Sequence, residues 1–455
     1  MRNKYRRTLA LTAGGAVALS TLALVGGNPA GAAVDPLDEI AQGNGLSVQK
    51  VRDTLADTTS RLDRTGHLFF QEPALTSAQQ TEEASPRWAS ASARAAEGPA
   101  FELHSKAGAN RVIYLDFDGH SITGTAWNAD KGIDPVNVSP YDTDGDPAVF
   151  STAEQDVVHE VWARVAEDYA PFDVDVTTQE PPQDAINRSD AADEQYGTRV
   201  LIDPDTWYQS GCGCGGVAYI GVYDAASQHD YYQPALVFTK GVGTGAKNLA
   251  EAASHEAGHN VGLGHDGTAT VGYYEGHGAW APIMGVGYYR AISQWSKGEY
   301  AGANNTEDDY TVISSHGLPL RPDDHADTPE TATALTIGTP ALGVITTETD
   351  TDVFRVDVAT AGTYTATVTP APTGANLDAQ LDLLNSAGTP MASANPASGQ
   401  SDAGTPTGLD ATITTELQPG TYYLRLDNTA NADPATTGYS TYGSRGAYTL
   451  AINPT

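Results

Sequence analysis

His255-Glu256-Ala257-Gly258-His259-Asn260-Val261-Gly262-Leu263-Gly264-His265-Asp266 is the stretch of this chain that decides its fold. His255 and His259 are four residues apart, so on a helix both imidazoles lie on the same face. Two imidazoles stacked in this way commonly bind one zinc ion. The Ala-rich sequence of residues 247–261 is expected to form that helix. The spacing therefore predicts a metal-binding helix.

The neighbouring residues complete a metal site. Glu256 follows the first histidine and is placed to accept a proton from a zinc-activated water. Gly262 is expected to end the helix, because glycine readily adopts the left-handed conformation, and the turn brings His265 back as a third nitrogen ligand. Three protein ligands leave the fourth tetrahedral position open, which is typical of catalytic zinc. A bare His-Glu-x-x-His can arise by chance on an amphipathic helix, but the added Gly and third His favour the zinc site.

A second short motif follows at Ala281-Pro282-Ile283-Met284-Gly285. Met284 is expected to pack as a floor under the imidazoles, because soft sulfur suits this zinc less well than the three nitrogens. With three ligands already placed, His277 is interpreted as a loop residue.

The two motifs together resemble the metzincin clan of zinc endopeptidases, and Asp266 directly after the third His resembles the adamalysin (reprolysin) branch. The resemblance covers roughly residues 101–320. The roles it implies are His255, His259 and His265 as metal ligands, Glu256 as general base, Met284 beneath the zinc and Asp266 as a structural carboxylate. Astacin- and serralysin-like members carry a Tyr two residues after the Met, whereas this chain has Val286 there.

Residues 101–320 alternate between helical and strand patterns. A capping box, Ser151 with Glu154, opens a helix whose apolar stripe contains Val158, Trp162, Val165 and Tyr169, and His159 lies beside that stripe, at the surface. Strands are predicted at residues 111–118, 172–177, 200–202, 217–222 and 236–238. We therefore expect an α/β (α+β) metzincin-like catalytic domain, in which a twisted mixed sheet carries the active-site helix.

From residue 321 the composition shifts to Thr, Ala, Asp, Gly and Pro. Short alternating strands such as Phe354-Val356-Val358 and Tyr448-Leu450-Ile452 recur between Gly and Pro turns, which predicts an all-β sandwich at 321–455. This part is similar to the bacterial pre-peptidase C-terminal domain, a jelly-roll module appended to secreted peptidases.

The N-terminal residues indicate export. Residues 1–32 contain a basic start, an apolar run and a small-residue cleavage site, and are predicted to be a signal peptide. Residues 33–100 contain one helical pattern (Val48, Val51, Leu55, Leu62), a short apolar run at residues 68–70 and a linker-like stretch. They are interpreted as a removable pro-segment with linker, the alternative being a small N-terminal adaptor. Because no Cys lies nearby, no pro-region thiolate can cap the zinc.

The composition limits the classes of molecule that this chain is expected to bind. The net charge of −33 over 455 residues argues against nucleic acid and anionic membranes, and no later apolar run is long enough to span a bilayer. Cys212 and Cys214 are expected to form a local disulfide or to remain two thiols. The acidic clusters are candidate structural Ca²⁺ sites, with solvated surface acids the preferred interpretation; they are Asp142, Asp144 and Asp146, and Asp323, Asp324, Asp327, Asp350 and Asp352.

These observations predict a secreted zinc metalloendopeptidase that acts on protein or peptide substrates, with Glu256 as general base. The alternative is a secreted surface-binding or adhesion protein with a structural or vestigial zinc site. Cleavage specificity, the end of the pro-segment, retention of the C-terminal domain and oligomeric state are left open.

Overall fold

The computed structural model describes residues 35–81 and 98–455. The predicted signal peptide, residues 1–32, and most of the linker lie outside the described residues.

The elements are numbered in chain order. The helices are α1 (Pro36–Asn44), α2 (Val48–Ala56), α3 (Ser77–Thr81), α4 (Ala126–Lys131), α5 (Thr152–Asp168), α6 (Gln183–Ile186), α7 (Gln209–Cys212), α8 (Thr239–Val242), α9 (Ala246–Asn260) and α10 (Asp309–Ser315). The first strands are β1 (Ser60–Leu62), β2 (Leu68–Pro73), β3 (Arg111–Asp116), β4 (Ser121–Ile122), β5 (Val136–Asn137), β6 (Asp175–Thr177), β7 (Tyr196–Asp203), β8 (Cys214–Tyr219), β9 (Ala235–Phe238), β10 (Trp280–Pro282) and β11 (Ile292–Gln294). The later strands are β12 (Thr333–Ala334), β13 (Ala341–Ile345), β14 (Thr351–Val358), β15 (Gly362–Pro370), β16 (Ala379–Leu384), β17 (Pro390–Ala394), β18 (Gly399–Asp402), β19 (Thr405–Thr407), β20 (Ala411–Leu417), β21 (Gly420–Asn428) and β22 (Gly446–Pro454).

A seven-stranded mixed sheet forms the centre of the first part, in the order β1-β2-β8-β9-β7-β3-β6. Strands β9, β7, β3 and β6 are parallel, whereas β8 runs antiparallel to β9 and β2 antiparallel to β8. The predicted mixed sheet is therefore confirmed. The N-terminal segment contributes β1 and β2, so it is part of this sheet rather than a separate unit.

Helices α5 and α9 pack on one face of the sheet and share its core. Val158 and Val165 of α5 and Leu249 and Ala253 of α9 are buried in a single apolar cluster. The predicted capping box is present, because Ser151 Oγ accepts from Glu154 N–H and the Glu154 carboxylate accepts from Ser151 N–H.

The polar side of α5 differs from the prediction. His159 is buried rather than at the surface, and so are Glu160, Arg164 and Glu167. The C-terminal part covers this side: Arg164 lies against Gly374, and Glu167 accepts the backbone N–H of Asn376. These acidic side chains can be buried because backbone N–H groups and the Glu160–Arg164 ion pair satisfy their hydrogen-bonding groups.

The helical structure of the N-terminal segment ends earlier than the apolar spacing from Val48 to Leu62 predicts. Two helices form, α1 and α2, and α2 ends at Ala56, so Leu62 lies in strand β1. Their buried face joins Val51 to Leu68 and Phe70 of β2 and to Ile220 after β8. The N-terminal segment thus packs over the edge of the sheet.

The C-terminal part is β-rich. A five-stranded sheet, β12-β14-β21-β16-β17, and a four-stranded sheet, β13-β22-β15-β20, contribute side chains to one core, among them Phe354, Leu424, Val368 and Leu450. The predicted strands are present, whereas the jelly-roll connectivity stays a prediction. Among the described helices, none combines the length and apolar character that a bilayer span requires.

Candidate metal centre

The three histidines of the motif converge at the end of α9. Helix α9 presents His255 and His259, and the chain turns back at Gly262, whose φ is +93° and whose N–H donates to His259 O. A Cβ at Gly262 would lie 2.5 Å from the His316 ring, so this turn needs glycine for space as well as for conformation. The turn places His265 beside the other two rings.

Each imidazole is held through its Nδ1 atom. Nδ1 of His255 donates to Ile283 O at 2.9 Å, and Nδ1 of His259 donates to Leu263 O at 2.9 Å. Nδ1 of His265 donates to Asp57 Oδ2 at 2.7 Å. All three partners are acceptors, so the lone pair of each neutral ring lies on Nε2. Such contacts orient metal-binding histidines and fix their tautomer.

The three Nε2 atoms fit a metal ion. Those of His259 and His265 are 3.1 Å apart, and Nε2 of His255 is buried with no hydrogen-bond partner in the part of the chain that the structure describes. Two lone pairs at this distance repel each other unless a cation or a proton lies between them. Zinc with tetrahedral ligands at 2.0–2.1 Å would separate its ligand atoms by about 3.3 Å, which matches this spacing.

The motif predicts an open fourth ligand position, and the carboxylate of Glu72, on β2, lies beside the Nε2 atoms of this site. Its Oε1 is 3.0 Å from His265 Nε2 and 3.3 Å from His259 Nε2. Its Oε2 is 3.7 Å from His255 Nε2. Glu72 and the three histidines therefore form one buried four-residue cluster that could hold a metal ion.

Burial and mutual contacts shift the pKa values of this cluster in different directions. Burial lowers the pKa of His255 to about 3. Burial has the same effect on His265, but the charges of Glu72 and Asp57 outweigh it and raise the pKa of that imidazole to about 9. For Glu72, burial opposes ionisation, yet the His265 charge and hydrogen bonds from His259 and His265 keep its pKa well below the usual value. The contact between Glu72 and His265 therefore lowers the pKa of the carboxyl and raises that of the imidazole.

Glu256 follows the first histidine of the cluster on α9. Its side chain is buried, and its Oε2 has no hydrogen-bond partner among the described residues. Burial and then the charge of Glu72 raise its pKa well above the usual value. Its Oε1 lies against Gly216 of β8, where an added Cβ would be 2.0 Å away. The Glu256 carboxylate therefore rests on strand β8, and its charge interacts with that of Glu72 in the cluster.

Met284 and Asp266 lie next to the cluster. The Met284 sulfur would be 2.6 Å from a Cβ on Gly258, so it packs on α9 between the two histidines of that helix. Asp266 is buried, its N–H donates to Met284 O, and burial followed by the charge of Glu307 raises its pKa to about 7. These contacts join the third histidine to the Met turn.

Three residues at this site were not found from the sequence: Glu72, Asp57 and Tyr273. Tyr273 hydrogen-bonds to the Glu72 carboxylate, and its ring centroid is 4.4 Å from that of His265. A tyrosine therefore reaches the site even though Val286 stands where related clans have one. The one sequence feature that pointed to this region is the short apolar run at residues 68–70, which lies in the strand that carries Glu72.

The remaining candidates lie elsewhere. Cys212 and Cys214 form a disulfide, the first of the two alternatives. His277 is a loop residue, as predicted, and hydrogen-bonds to Gly438 O. Carboxylates do cluster in the predicted acidic regions: Asp142 and Asp144 with Glu154, and two overlapping groups among Asp323, Asp324, Asp327, Asp350 and Asp352. In the first, Asp142 already accepts two local backbone N–H groups, as in an ordinary acidic turn, and calcium stays a prediction.

Two family models match parts of this chain, and the first of them includes the histidine cluster. Residues 169–266 match the family described as metallo-peptidase family M12B, reprolysin-like, and residues 350–428 match the bacterial pre-peptidase C-terminal domain. The resemblance of this chain to reprolysin-like metallopeptidases with a pre-peptidase C-terminal domain is thereby confirmed. No curated protein sequence matches the chain.

Two solved structures are similar to part of the chain. The pre-peptidase C-terminal domain of collagenase from Bacillus anthracis is 18% identical, covers 29% of this chain and 97% of its own, and has a TM-score of 0.19. The periplasmic g-type lysozyme inhibitor PliG from Aeromonas hydrophila is 10% identical, covers 27% of this chain and 93% of its own, and has a TM-score of 0.18. At these TM-scores the likenesses support no inference about function.

Proposed function

We propose that this chain is a secreted zinc-dependent endopeptidase with Glu256 as its general base. One observation carries the proposal: the Nε2 atoms of three imidazoles lie close together, and the buried carboxylate of the adjacent residue Glu256 has one oxygen without a hydrogen-bond partner among the described residues. The match of residues 169–266 to reprolysin-like metallopeptidases supports it. His255, His259 and His265 are the proposed zinc ligands.

The zinc ion, Glu256 and the groups that hold the imidazoles would have separate roles in peptide hydrolysis. A bound zinc ion would supply Lewis acidity, which lowers the pKa of water (to ~7 in zinc hydrolases) and polarises a carbonyl. Glu256 would accept a proton from the attacking water at its free Oε2 and return it to the leaving amine. Ile283 O, Leu263 O and the carboxylate of Asp57 would keep the three imidazoles in the tautomer that leaves Nε2 free.

Strand β8 offers a way to hold an extended peptide. Its outer edge pairs antiparallel with β2, through Phe69 opposite Tyr219, Phe70 opposite Ala218 and Gln71 opposite Val217. An extended substrate that replaced β2 would use the same backbone groups, as in other cases of β-strand addition. Its scissile bond would then lie beside Glu256, because that carboxylate rests on Gly216 of the same strand.

The flanking segments fit an exported peptidase. We propose residues 1–32 as a signal peptide, 33–100 as a pro-segment with linker, 101–320 as the catalytic domain and 321–455 as a β-sandwich. The similarity of residues 350–428 to the pre-peptidase C-terminal domain supports an extracellular location and a role in binding a substrate or surface.

A second function is favoured by one feature of the site. Structural zinc sites have four protein ligands, and Glu72 would supply a fourth in a cluster that could hold a metal ion. If the N-terminal segment is never removed, the zinc would remain closed off, and the chain would be a secreted binding or adhesion protein.

The test uses the protein recovered from the medium of an expressing strain, with its N-terminus determined. The wild-type chain is expected to contain zinc and to cleave casein in a manner that 1,10-phenanthroline blocks. Glu256→Gln is expected to keep the zinc and lose most of the cleavage, whereas Glu275→Gln, an exposed control, keeps both. Zinc-loaded wild-type protein that cleaves no protein or peptide would favour the second function.

A further inference from the structure

We infer that Glu72 is a metal ligand and that the segment carrying it, residues 35–73, keeps the metal centre closed. This inference rests on the proposed function, and it names a ligand outside the His255–His265 motif. The side chain of Glu72 is only 10% exposed. Its two oxygens lie 3.0, 3.3 and 3.7 Å from the three Nε2 atoms. A buried carboxylate at this point is compensated by a cation or by protonated imidazole.

The backbone aims the carboxylate at the site. Strand β2 pairs regularly with β8 up to Gln71, and the register shifts before Pro73 pairs with Cys214. Glu72 lies at that irregularity. Such irregularities redirect a side chain and are frequent next to functional sites. Tyr273, which follows the histidine motif in the chain, also hydrogen-bonds to the Glu72 carboxylate.

Other contacts of the same segment surround the metal-binding rings. The Phe70 ring lies 4.4 Å from the His259 ring and 4.3 Å from the His265 ring. Asp57 holds Nδ1 of His265 at 2.7 Å. Lys50 forms an ion pair with Glu307, beyond the third histidine. The segment therefore contacts the centre through a ligand, an aromatic cover and a carboxylate behind the third ring.

The closure blocks two requirements of a peptidase at once. Glu72 occupies the position where a water molecule would need to lie, and β2 occupies the edge of β8 that an extended peptide would use. A cysteine is not needed for this purpose, because a carboxylate is also a zinc ligand. The site would open when residues 35–73 leave, which is the expected behaviour of a zymogen segment.

The experiment compares full-length Glu72→Ala and Glu72→Gln with wild type and with Gln71→Ala. Gln71 is the matched control, because it precedes Glu72 on the same strand, is only half-buried and is not a member of the metal-binding cluster. Each protein is loaded with Co²⁺ and titrated with acetohydroxamic acid, and the visible absorption of the metal is recorded. The rate at which 1,10-phenanthroline removes zinc is measured in parallel.

In wild type and Gln71→Ala, we expect hydroxamate to leave the cobalt spectrum unchanged and zinc loss to be slow. In both Glu72 variants, hydroxamate should shift the spectrum and zinc loss should be at least ~10-fold faster, as for other losses at a metal site. Metal-loaded Glu72 variants that behave as wild type would overturn the inference and leave the proposed function standing. A wild-type chain that binds neither metal would overturn both.

Discussion

Nε2 of His265 lies 3.0 Å from Oε1 of Glu72, which precedes it by 193 residues. The other ring nitrogen, Nδ1, lies 2.7 Å from Oδ2 of Asp57. The third histidine of the motif is therefore held between two carboxylates of the N-terminal segment. Its position depends on both parts of the chain, so changes in either part should alter metal binding.

Asp57→Asn is expected to weaken zinc binding to the full-length chain by ~10–100-fold, the usual effect of losing a carboxylate behind a metal-binding histidine. Oδ1 of Asp57 already accepts from Thr59 N–H and Oγ1–H. An Asn that keeps those contacts would turn its NH₂ group toward the Nδ1–H of His265, so two donors would face each other. Competition with a fluorescent zinc chelator measures the affinity.

The matched control for this change is Asp53→Asn. Asp53 is an exposed carboxylate on α2, four residues before Asp57, and accepts a hydrogen bond from Gln49. It should leave the zinc affinity at the wild-type value. Equal zinc affinities for the two variants would show that Asp57 does not support His265.

Gly216→Ala is expected to lower kcat of the secreted enzyme by ~10²–10⁴-fold, the range for loss of general base catalysis. The new Cβ would lie 2.0 Å from Oε1 and 2.7 Å from Cδ of Glu256, so that carboxylate must move. Zinc content should not change, because no imidazole is touched. Gly211→Ala, where a Cβ meets nothing closer than 4.0 Å, is the control. Full activity of Gly216→Ala would mean that the observed position of Glu256 is not the working one.

Gly258→Ala should lower the free energy of unfolding by ~1–3 kcal/mol through overpacking against Met284. Met284→Ala alone should cost ~2–5 kcal/mol, because the Met side chain is fully buried. The double variant should cost less than the two changes added together, since the smaller residue at 284 makes room for the new methyl group. Urea denaturation of the four proteins tests this, and simple additivity would contradict the contact.

The pH dependence of stability should include a contribution from Asp168. Burial and then the charge of Glu251 raise its pKa to about 8, while its carboxyl bonds Ser254 and Asn376. Between pH ~4 and 8 the folded chain holds a proton that the unfolded chain releases. This stabilisation is complete below pH ~4 and is lost as the pH rises through 8.

Asp168→Asn stays neutral at every pH and can keep both hydrogen bonds. Relative to wild type, its stability should therefore rise between pH 4 and 8, as measured by thermal unfolding. Asp146→Asn, on an exposed loop, should run parallel to wild type. Parallel curves for Asp168→Asn as well would show that Asp168 is ionised in the folded chain.

Features that depend on local spacing could be predicted from the sequence. The four-residue separation of His255 and His259 sets their common helix face, and Gly262 takes the left-handed conformation that its position required. Alternation in Phe354-Val356-Val358 predicts a strand because side chains in a strand alternate between faces. In each case a few neighbouring residues contain the whole signal.

Features that depend on distant packing could not be predicted. No periodicity connects Glu72 to the histidine motif, and only the pairing of β2 with β8 brings it there. Glu160 and Arg164 lie four residues apart on α5, a spacing that places them side by side on a helix but does not say what covers them. They are buried because the C-terminal part, near Gly374, covers that side of the helix.

The zinc content of the purified full-length chain tests the central claim most directly. After dialysis against micromolar zinc, the wild-type protein should contain about one zinc per chain, as expected for a single tetrahedral site. His259→Ala, checked by circular dichroism to be folded, should contain almost none. A folded wild-type chain without zinc, or a His259→Ala variant that keeps the full amount, would contradict the account.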